Sequence, residues 1–198
     1  MTASAGPADR FRSLHHDRQI LLMPNAWDVG SARILEHLGF SALATTSSGS
    51  AAAQGRLDGQ LGREAALAHA RELVGAVDVP VSADLENCFG DDPNTVAETM
   101  RLAARTGLAG AAVEDASAAP GNPIYDFGLA VERVAAAVEA VRGLPFPFTV
   151  TARAENFLRG RPDLDDTIKR LQAFEKAGAD VLYAPLLPDI AAVRTVCQ

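Results

Sequence analysis

The sequence predicts a parallel α/β fold, either a doubly wound sheet or a (β/α)8 barrel. Three observations predict it. Helical stretches rich in Ala, Leu and Arg alternate with short β-branched runs, and a glycine or proline punctuates the boundaries between them. The β runs are also apolar throughout rather than strictly alternating, as expected of parallel strands covered on both faces.

The elements follow in order. Residues 1–18 read as an N-terminal extension or helix, and residues 19–198 as one partial barrel-type catalytic domain. The first strand is expected over residues 21–25, and Asp28 is placed to cap a helix over 31–37. Gly39 sits where a left-handed residue closes that helix, before a strand over 42–46. A helix over 62–74 leads to a strand over 79–83. Asp92 and Pro93 then supply a cap and a first-turn proline for a helix over 93–105. Gly107 precedes a strand over 110–113, a helix over 129–141 and a strand over 148–152, entered through Pro145 and Pro147. Asp163, Asp165 and Asp166 suit the N-terminal dipole of a helix over 164–177. Gly178 closes it, a strand over 179–183 follows, and residues 188–198 begin a further helix. A closed barrel usually takes roughly 250 residues. If the fold is a barrel, these six βα units stop short of closure, and two strand edges need covering.

Composition excludes several function classes. A formal charge of -7 with no local basic stripe argues against nucleic acid. The absence of an apolar run near ~20 residues argues against a membrane span. Cys88 and Cys197 lie far apart without metal-ligand spacing, and the first ten residues lack a signal peptide's apolar core, so a cytoplasmic location is expected. Only Lys169 and Lys176 are lysines, both on one helical segment whose polar face is solvated, which sets Schiff-base chemistry aside.

Polar residues follow the strands, where both α/β architectures place active sites. The third strand runs into Asp84 and Glu86, the fourth into Glu114 and Asp115, and the fifth into Arg153, Glu155 and Asn156. Side-chain alternation points Asp84 and Glu86 to one side, and likewise Arg153 and Glu155. Carboxylates that converge without lysine or histidine need a positive partner. A hard divalent cation fits: Mg2+ held by Asp84, Glu86 and Glu114, partly through water. Arg153 can then grip a substrate carboxylate by a two-pronged hydrogen bond.

The segments Pro24-Asn-Ala-Trp-Asp28, Thr45-Thr-Ser-Ser-Gly49, Gly55-Arg-Leu-Asp58, Ala83-Asp-Leu-Glu-Asn-Cys-Phe-Gly90, Val113-Glu-Asp115 and Thr151-Ala-Arg-Ala-Glu155 occur in the order seen in the isocitrate lyase/phosphoenolpyruvate mutase superfamily. The chain resembles that superfamily over residues 21–183. The resemblance implies a (β/α)8 TIM-type barrel, here truncated after about six βα units, and often a homo-oligomer. It implies Mg2+ as cofactor and a small-molecule carboxylate as substrate, with Asp84, Glu86 and Glu114 around the metal. Ser47, Ser48 and Gly49 would bind the substrate, Arg153 would clamp its anionic group and act in catalysis, and Asp58 would be a catalytic residue on a closing loop.

One stretch departs from the pattern. Isocitrate and methylisocitrate lyases carry a Lys-x-Cys-Gly-His loop after the fourth strand, and the phosphonate enzymes carry a lysine-containing gating loop there. Residues 116–127 of this chain contain no cysteine, lysine or histidine, although Asn122 is present. The expected activity is therefore that of a lyase or decarboxylase cleaving a C–C bond in a small 2-oxo or 2-hydroxy acid through an enolate. Carbon–phosphorus chemistry and an inactive, degenerate member are the alternatives. Cys88 and the four histidines are read as structural, since a reactive thiol needs an electropositive setting.

Overall fold

The structure, a computed structural model, describes residues 6–117, 119 and 121–198. Six parallel strands form one sheet in the order of the chain: β1 Asn25–Ala26, β2 Leu43–Thr45, β3 Val81–Asp84, β4 Gly110–Glu114, β5 Thr149–Arg153 and β6 Val181–Tyr183. That order separates the two architectures left open by the residues alone. A doubly wound sheet reverses direction at a switch point. A monotonic order with right-handed crossovers instead keeps every connecting helix on one face, as in a barrel wall.

The helices are α1 Pro7–His15, α2 Val29–His37, α3 Ser47–Ala53, α4 Arg63–Val74, α5 Pro93–Ala104, α6 Phe127–Arg142, α7 Leu164–Lys176 and α8 Ile190–Val196. Their starts are chemically marked. Asp28 accepts from the Ser31 N–H in a capping box, and Asp92, Asp163 and Asp189 also accept backbone N–H groups at the starts of α5, α7 and α8. Gly39, Gly107 and Gly178 take φ of 92°, 92° and 99°, the left-handed conformation that ends a helix cheaply only at glycine. None of the described helices is long and apolar enough to cross a membrane.

Two elements differ from the sequence expectation. Strand β1 is only two residues, Asn25–Ala26, instead of an extended run from residue 21. Pro24 contributes its carbonyl to Ala44 but has no N–H to offer, so regular pairing starts after it. Residues 47–53, which the sequence pattern leaves outside any helix, form α3. Their Ser-Ser-Gly-Ser opening resembles a turn, but Thr46 caps the helix by accepting from the Gly49 N–H, and the Ala51–Ala53 run extends it.

Alternation along the strands sorts side chains between two environments. Val81 and Ala83 of β3, Ala111 and Val113 of β4, and Val150 and Ala152 of β5 join the core beneath α5, α6 and α7. Their neighbours Ser82, Asp84, Ala112, Glu114, Thr151 and Arg153 line the opposite, inner face. At the N-terminal edge of the strands, α1 buries Phe11 completely against Ala42 and Ala109. The polar ends of β3, β4 and β5 lie at the opposite, C-terminal edge.

Candidate active site

Strands β3, β4, β5 and β6 end on Asp84, Glu114, Arg153 and Tyr183, and all four line one cleft of about 1120 Å³. Ladder register places them side by side: Glu114 opposes Arg153, and Arg153 opposes Tyr183. Ser47, Ser48, Asp58 and Glu86 line the same cleft. Gly49 does not. It lies in the first turn of α3, where a Cβ would crowd Thr46 Cγ2 at 2.6 Å and Trp27 Cβ at 3.1 Å.

Arg153 is the electrostatic centre. Its Nη1 lies 2.9 Å from Glu114 Oε1 and 3.5 Å from Asp84 Oδ1, while Nε and Nη2 both reach Glu155 Oε1 at 3.0 and 2.9 Å. Burial alone would lower its pKa, but Glu114, Asp84 and Glu155 outweigh that and raise it. A second guanidinium, Arg159, approaches Glu114 Oε2 at 3.4 Å and Glu155 Oε2 at 3.5 Å from the solvent side. Sequence reasoning does not pick out Arg159. It follows strand β5 by six residues, inside a turn closed by the left-handed Gly160, and nothing in the local pattern aims it inward.

Four carboxylates, Asp84, Glu86, Glu114 and Glu155, thus share two guanidiniums, and two negative charges stay uncompensated when all are ionised. The strain is visible in their acidities. Burial pushes Glu86 up to about 7, with repulsion from Asp58 and Asp84 adding and Arg159 opposing. Burial pushes Glu114 up to about 8 against the pull of Arg153. Glu155, fully buried, is raised by desolvation as well. Such an oxygen-only, electron-rich donor set suits a hard divalent cation. Arg153 stands between Asp84 and Glu114, and among the described residues no three acidic, histidine or cysteine groups form a ready metal cage. The arrangement fits an ion that keeps most of its waters and touches one or two carboxylates, the habit of Mg2+.

Asp84 is held in one orientation. Its Oδ2 accepts from both the N–H and the hydroxyl of Ser47, and its Oδ1 accepts from the Glu86 N–H. Glu86 itself adopts a left-handed φ of 52°, so it reaches the cleft by a loop conformation rather than by strand alternation. Cys88 and Phe89 share that unusual region, at φ 59° and 63°. Non-glycine residues persist there only where the surroundings over-determine them.

Arg133 supplies that determination directly, and Arg170 supports it through Tyr125. Arg133 of α6, 1% exposed, donates to the carbonyls of Asn87, Gly90 and Asp91, and its guanidinium stacks 4.1 Å from the Tyr125 ring centre. The Tyr125 hydroxyl donates to Asp91 and accepts from Asn87 Nδ2. Arg170 of α7 bonds Asp115 Oδ2, Asp166 Oδ2 and the Tyr125 carbonyl. Burial pushes Asp115 up to about 6, while its bond from the Glu155 N–H and its pairing with Arg170 pull the other way. Both arginines fall on the buried stripes of their helices, Arg133 with Ala130 and Ala137, Arg170 with Thr167 and Phe174. A charge inside a buried stripe is the sequence signal for this brace.

The stretch after β4 takes a hairpin-like path. Ala116 bridges Ile124, Tyr125 N–H returns to the Asp115 carbonyl, and Ala116 and Ser117 line the cleft where Asn122 does not. Ala118 and Pro120 of this stretch lie outside the described residues. Cys88 is fully buried and its thiol is pushed up to about 12 by burial, consistent with a packing role.

Comparisons with known proteins give a consistent result. The family model described as phosphoenolpyruvate phosphomutase matches residues 11–198. A crystal structure from Burkholderia cenocepacia J2315, assigned provisionally as a lyase/mutase, is 55% identical with a TM-score of 0.94, covering 96% of this chain and 68% of that one. An uncharacterized protein of Mycobacterium tuberculosis H37Rv is 33% identical over 180 residues, 90% of this chain and 66% of the relative. The 2,3-dimethylmalate lyase of Eubacterium barkeri is 30% identical over 184 residues, 89% of this chain and 62% of the relative. The chain spans about two thirds of the length of these curated relatives.

Proposed function

This chain belongs to the phosphoenolpyruvate phosphomutase family, and on that footing we propose that it serves a Mg2+-dependent lyase cleaving a C–C bond in a small 2-oxo or 2-hydroxy acid. The observation that carries the reading is the run of four strand ends delivering Asp84, Glu114, Arg153 and Tyr183 to one cleft. The stretch 116–127, without lysine, cysteine or histidine, favours C–C cleavage over the carbon–phosphorus reactions of other family members.

The chemistry follows from the residues. In a retro-aldol cleavage the substrate hydroxyl loses its proton and becomes a carbonyl, while the bond's electron pair passes to a carbon stabilised as an enolate, which is then protonated. Asp84, with Glu86 and Glu114 through water, would hold the Mg2+, whose contribution is to stabilise developing oxyanion charge. Ser47 keeps Asp84 in one orientation through two hydrogen bonds. Ser48 offers a cleft-lining hydroxyl, which lies 3.3 Å from Thr46 Oγ1. Arg153 keeps Glu114 and Asp84 together and presents fixed positive charge where negative charge develops. Asp58 sits exposed on the loop that carries the left-handed Gly55 and Gly59, lines the cleft close enough to raise the Glu86 pKa, and is the acid we assign to proton transfer.

The test is thermal unfolding with Mg2+ alone and with Mg2+ plus oxalate, a planar dianion resembling the pyruvate enolate. A ligand at a hundredfold excess over its dissociation constant stabilises by about 2.7 kcal/mol. A Mg2+-dependent oxalate shift, absent in Glu86→Gln, supports an enolate site. No shift in a cooperatively folding sample would overturn the lyase reading.

A further inference from the structure

We propose that Tyr183 is a catalytic proton donor, whose phenol protonates the enolate carbon when the C–C bond has broken. The inference rests on the enolate-lyase reading and deepens it. Retro-aldol cleavage moves two protons. One leaves the substrate hydroxyl, and Asp58 is the group assigned to it; the other must arrive at the carbon that keeps the bond's electron pair. Among the described residues the cleft lining contains no histidine, cysteine or lysine. Asp84, Glu86 and Glu114 are given to the metal, Asp91 accepts from Tyr125, and guanidiniums do not release protons. Tyr183 remains, beside serine and threonine alcohols that are much weaker acids than a phenol.

Its position is fixed and its hydroxyl is free. Tyr183 ends β6 as the register partner of Arg153, and its carbonyl accepts from the Ala154 N–H. The ring centre lies 5.1 Å from Arg153 Cζ, while Nη1 of the same guanidinium is 3.5 Å from Asp84 Oδ1. One guanidinium therefore bridges the space between the metal-holding carboxylate and the phenol. The hydroxyl of the other tyrosine, Tyr125, is committed to Asp91 and Asn87, whereas among the described residues that of Tyr183 takes no hydrogen bond. Tyr183 is 48% exposed, so water can restore its proton.

Strand order supplies the direction of approach. Asp58 lies on the connection between β2 and β3, and a Cβ on its neighbour Gly59 would come within 3.8 Å of Glu86 Oε2. Tyr183 stands at the far end of the row, past Asp84, Glu114 and Arg153. A substrate seated over Asp84 and Glu114 thus has Asp58 on one flank and Tyr183 on the other. The fragment that departs as a carbonyl leaves from the flank where its hydroxyl proton is taken, so a donor that acts before it diffuses away must reach the carbon from the opposite flank. The O–H bond of Tyr183 breaks as the enolate's electron pair forms a C–H bond, the enolate oxygen returns to a carbonyl, and the phenolate takes a proton back from water. Throughout the transfer the negative charge stays beside Arg153.

The group that protonates an enolate carbon in one direction removes the same proton in the other, so the experiment follows deuterium entering the methyl group of pyruvate in D2O with Mg2+, by proton NMR. Oxalate binding, measured by calorimetry with Mg2+, reports whether the site is intact. The natural chain is expected to exchange the methyl hydrogens, and oxalate to stop it. Tyr183→Phe keeps the ring beside Arg153 and removes only the hydroxyl; it should slow exchange about a hundredfold or more, the range of general acid–base catalysis, while its oxalate affinity changes less than about twofold. Ser117→Ala removes a cleft-lining alcohol from the stretch after β4 and should leave exchange as it was. Undiminished exchange in Tyr183→Phe would overturn the proposal, as would an equal loss in Ser117→Ala. Weakened oxalate binding in step with lost exchange would reduce Tyr183 to a structural role, and oxalate binding without any exchange in the natural chain would also overturn it. Failure of oxalate itself to bind with Mg2+ would remove the enolate-lyase reading and this inference with it.

Discussion

Glu114 and Arg153 are register partners across the β4–β5 ladder, and their side chains meet at 2.9 Å where the two strands end. The backbone pairing and the ion pair thus determine one another. Arg153→Ala strands Glu114, 5% exposed at its side chain, beside Asp84 and Glu155. Removing one partner of a buried pair costs about 3–5 kcal/mol. Urea unfolding of Arg153→Ala should show a loss in that range, and the double variant Arg153→Met with Glu114→Gln should recover only part of it, because Asp84 and Glu155 still lose their partner.

Stability of the metal-free protein is expected to depend on pH in an unusual direction. Glu86 and Glu114 have folded values raised to about 7 and about 8, above their ordinary 4.5, because burial disfavours their charged forms. Protonation therefore favours the folded state: the contribution is complete below about pH 4.5 and is lost as pH rises to about 8. Asp115, raised to about 6, acts in the same direction. Unfolding temperatures with a chelator should fall between pH 5 and pH 8, and Mg2+ at pH 8 should reverse much of the fall. A flat profile would contradict this account of the acids.

The brace behind the Glu86 loop is testable by truncation. Arg133→Ala leaves the carbonyls of Asn87, Gly90 and Asp91 without their donor. We expect destabilisation of about 3 kcal/mol by chemical unfolding, since bonds to charged donors contribute about 1.5–3 kcal/mol each and water replaces only some of them. Arg133→Lys should restore part of it, because an ammonium has three donors but no plane to stack on Tyr125.

Native thiol labelling should distinguish the two cysteines. Cys197 is exposed, whereas Cys88 is buried with its thiol pushed up to about 12. Iodoacetamide at pH 8 is expected to modify Cys197 alone until the protein is unfolded.

Gly110→Ala should damage the sheet itself. A Cβ there would stand 2.5 Å from the Thr149 carbonyl oxygen and 3.1 Å from the Phe11 ring. Overpacking of this kind costs about 3 kcal/mol, to be read as a lowered unfolding midpoint.

Much of this architecture is legible from the residues. Punctuation by Asp28, Asp92, Gly39, Gly107 and Gly178 marks helix ends because capping is a local property. Asp84, Glu86, Glu114 and Arg153 are legible as cleft residues because polar groups follow apolar strands. What escapes depends on distant partners. The α3 helix begins in a Ser-Ser-Gly-Ser run that local propensity reads as a turn, and it forms through its Thr46 cap. The sequence puts Arg153 in the cleft, but its contacts with Glu114, Asp84 and Glu155 are set by strand register and so are not legible in it. Arg159 escapes the sequence pattern, and Arg133 and Arg170 are marked in it only as charges on buried helix stripes, since their acceptors lie 42 to 55 residues away except for local carboxylates.

Tyr125 receives Arg133 on its ring and Arg170 on its carbonyl, so one residue joins the loop after β3 to the segments after β4 and β5. Three loops tied at one knot cannot fluctuate independently. Opening motions at Glu86 should carry Asp115 and Asn156 with them, giving the rim of the cleft a single opening free energy in amide hydrogen exchange. A molecule that steadies any one loop would then slow exchange in the other two, so the rim would answer a ligand as a unit.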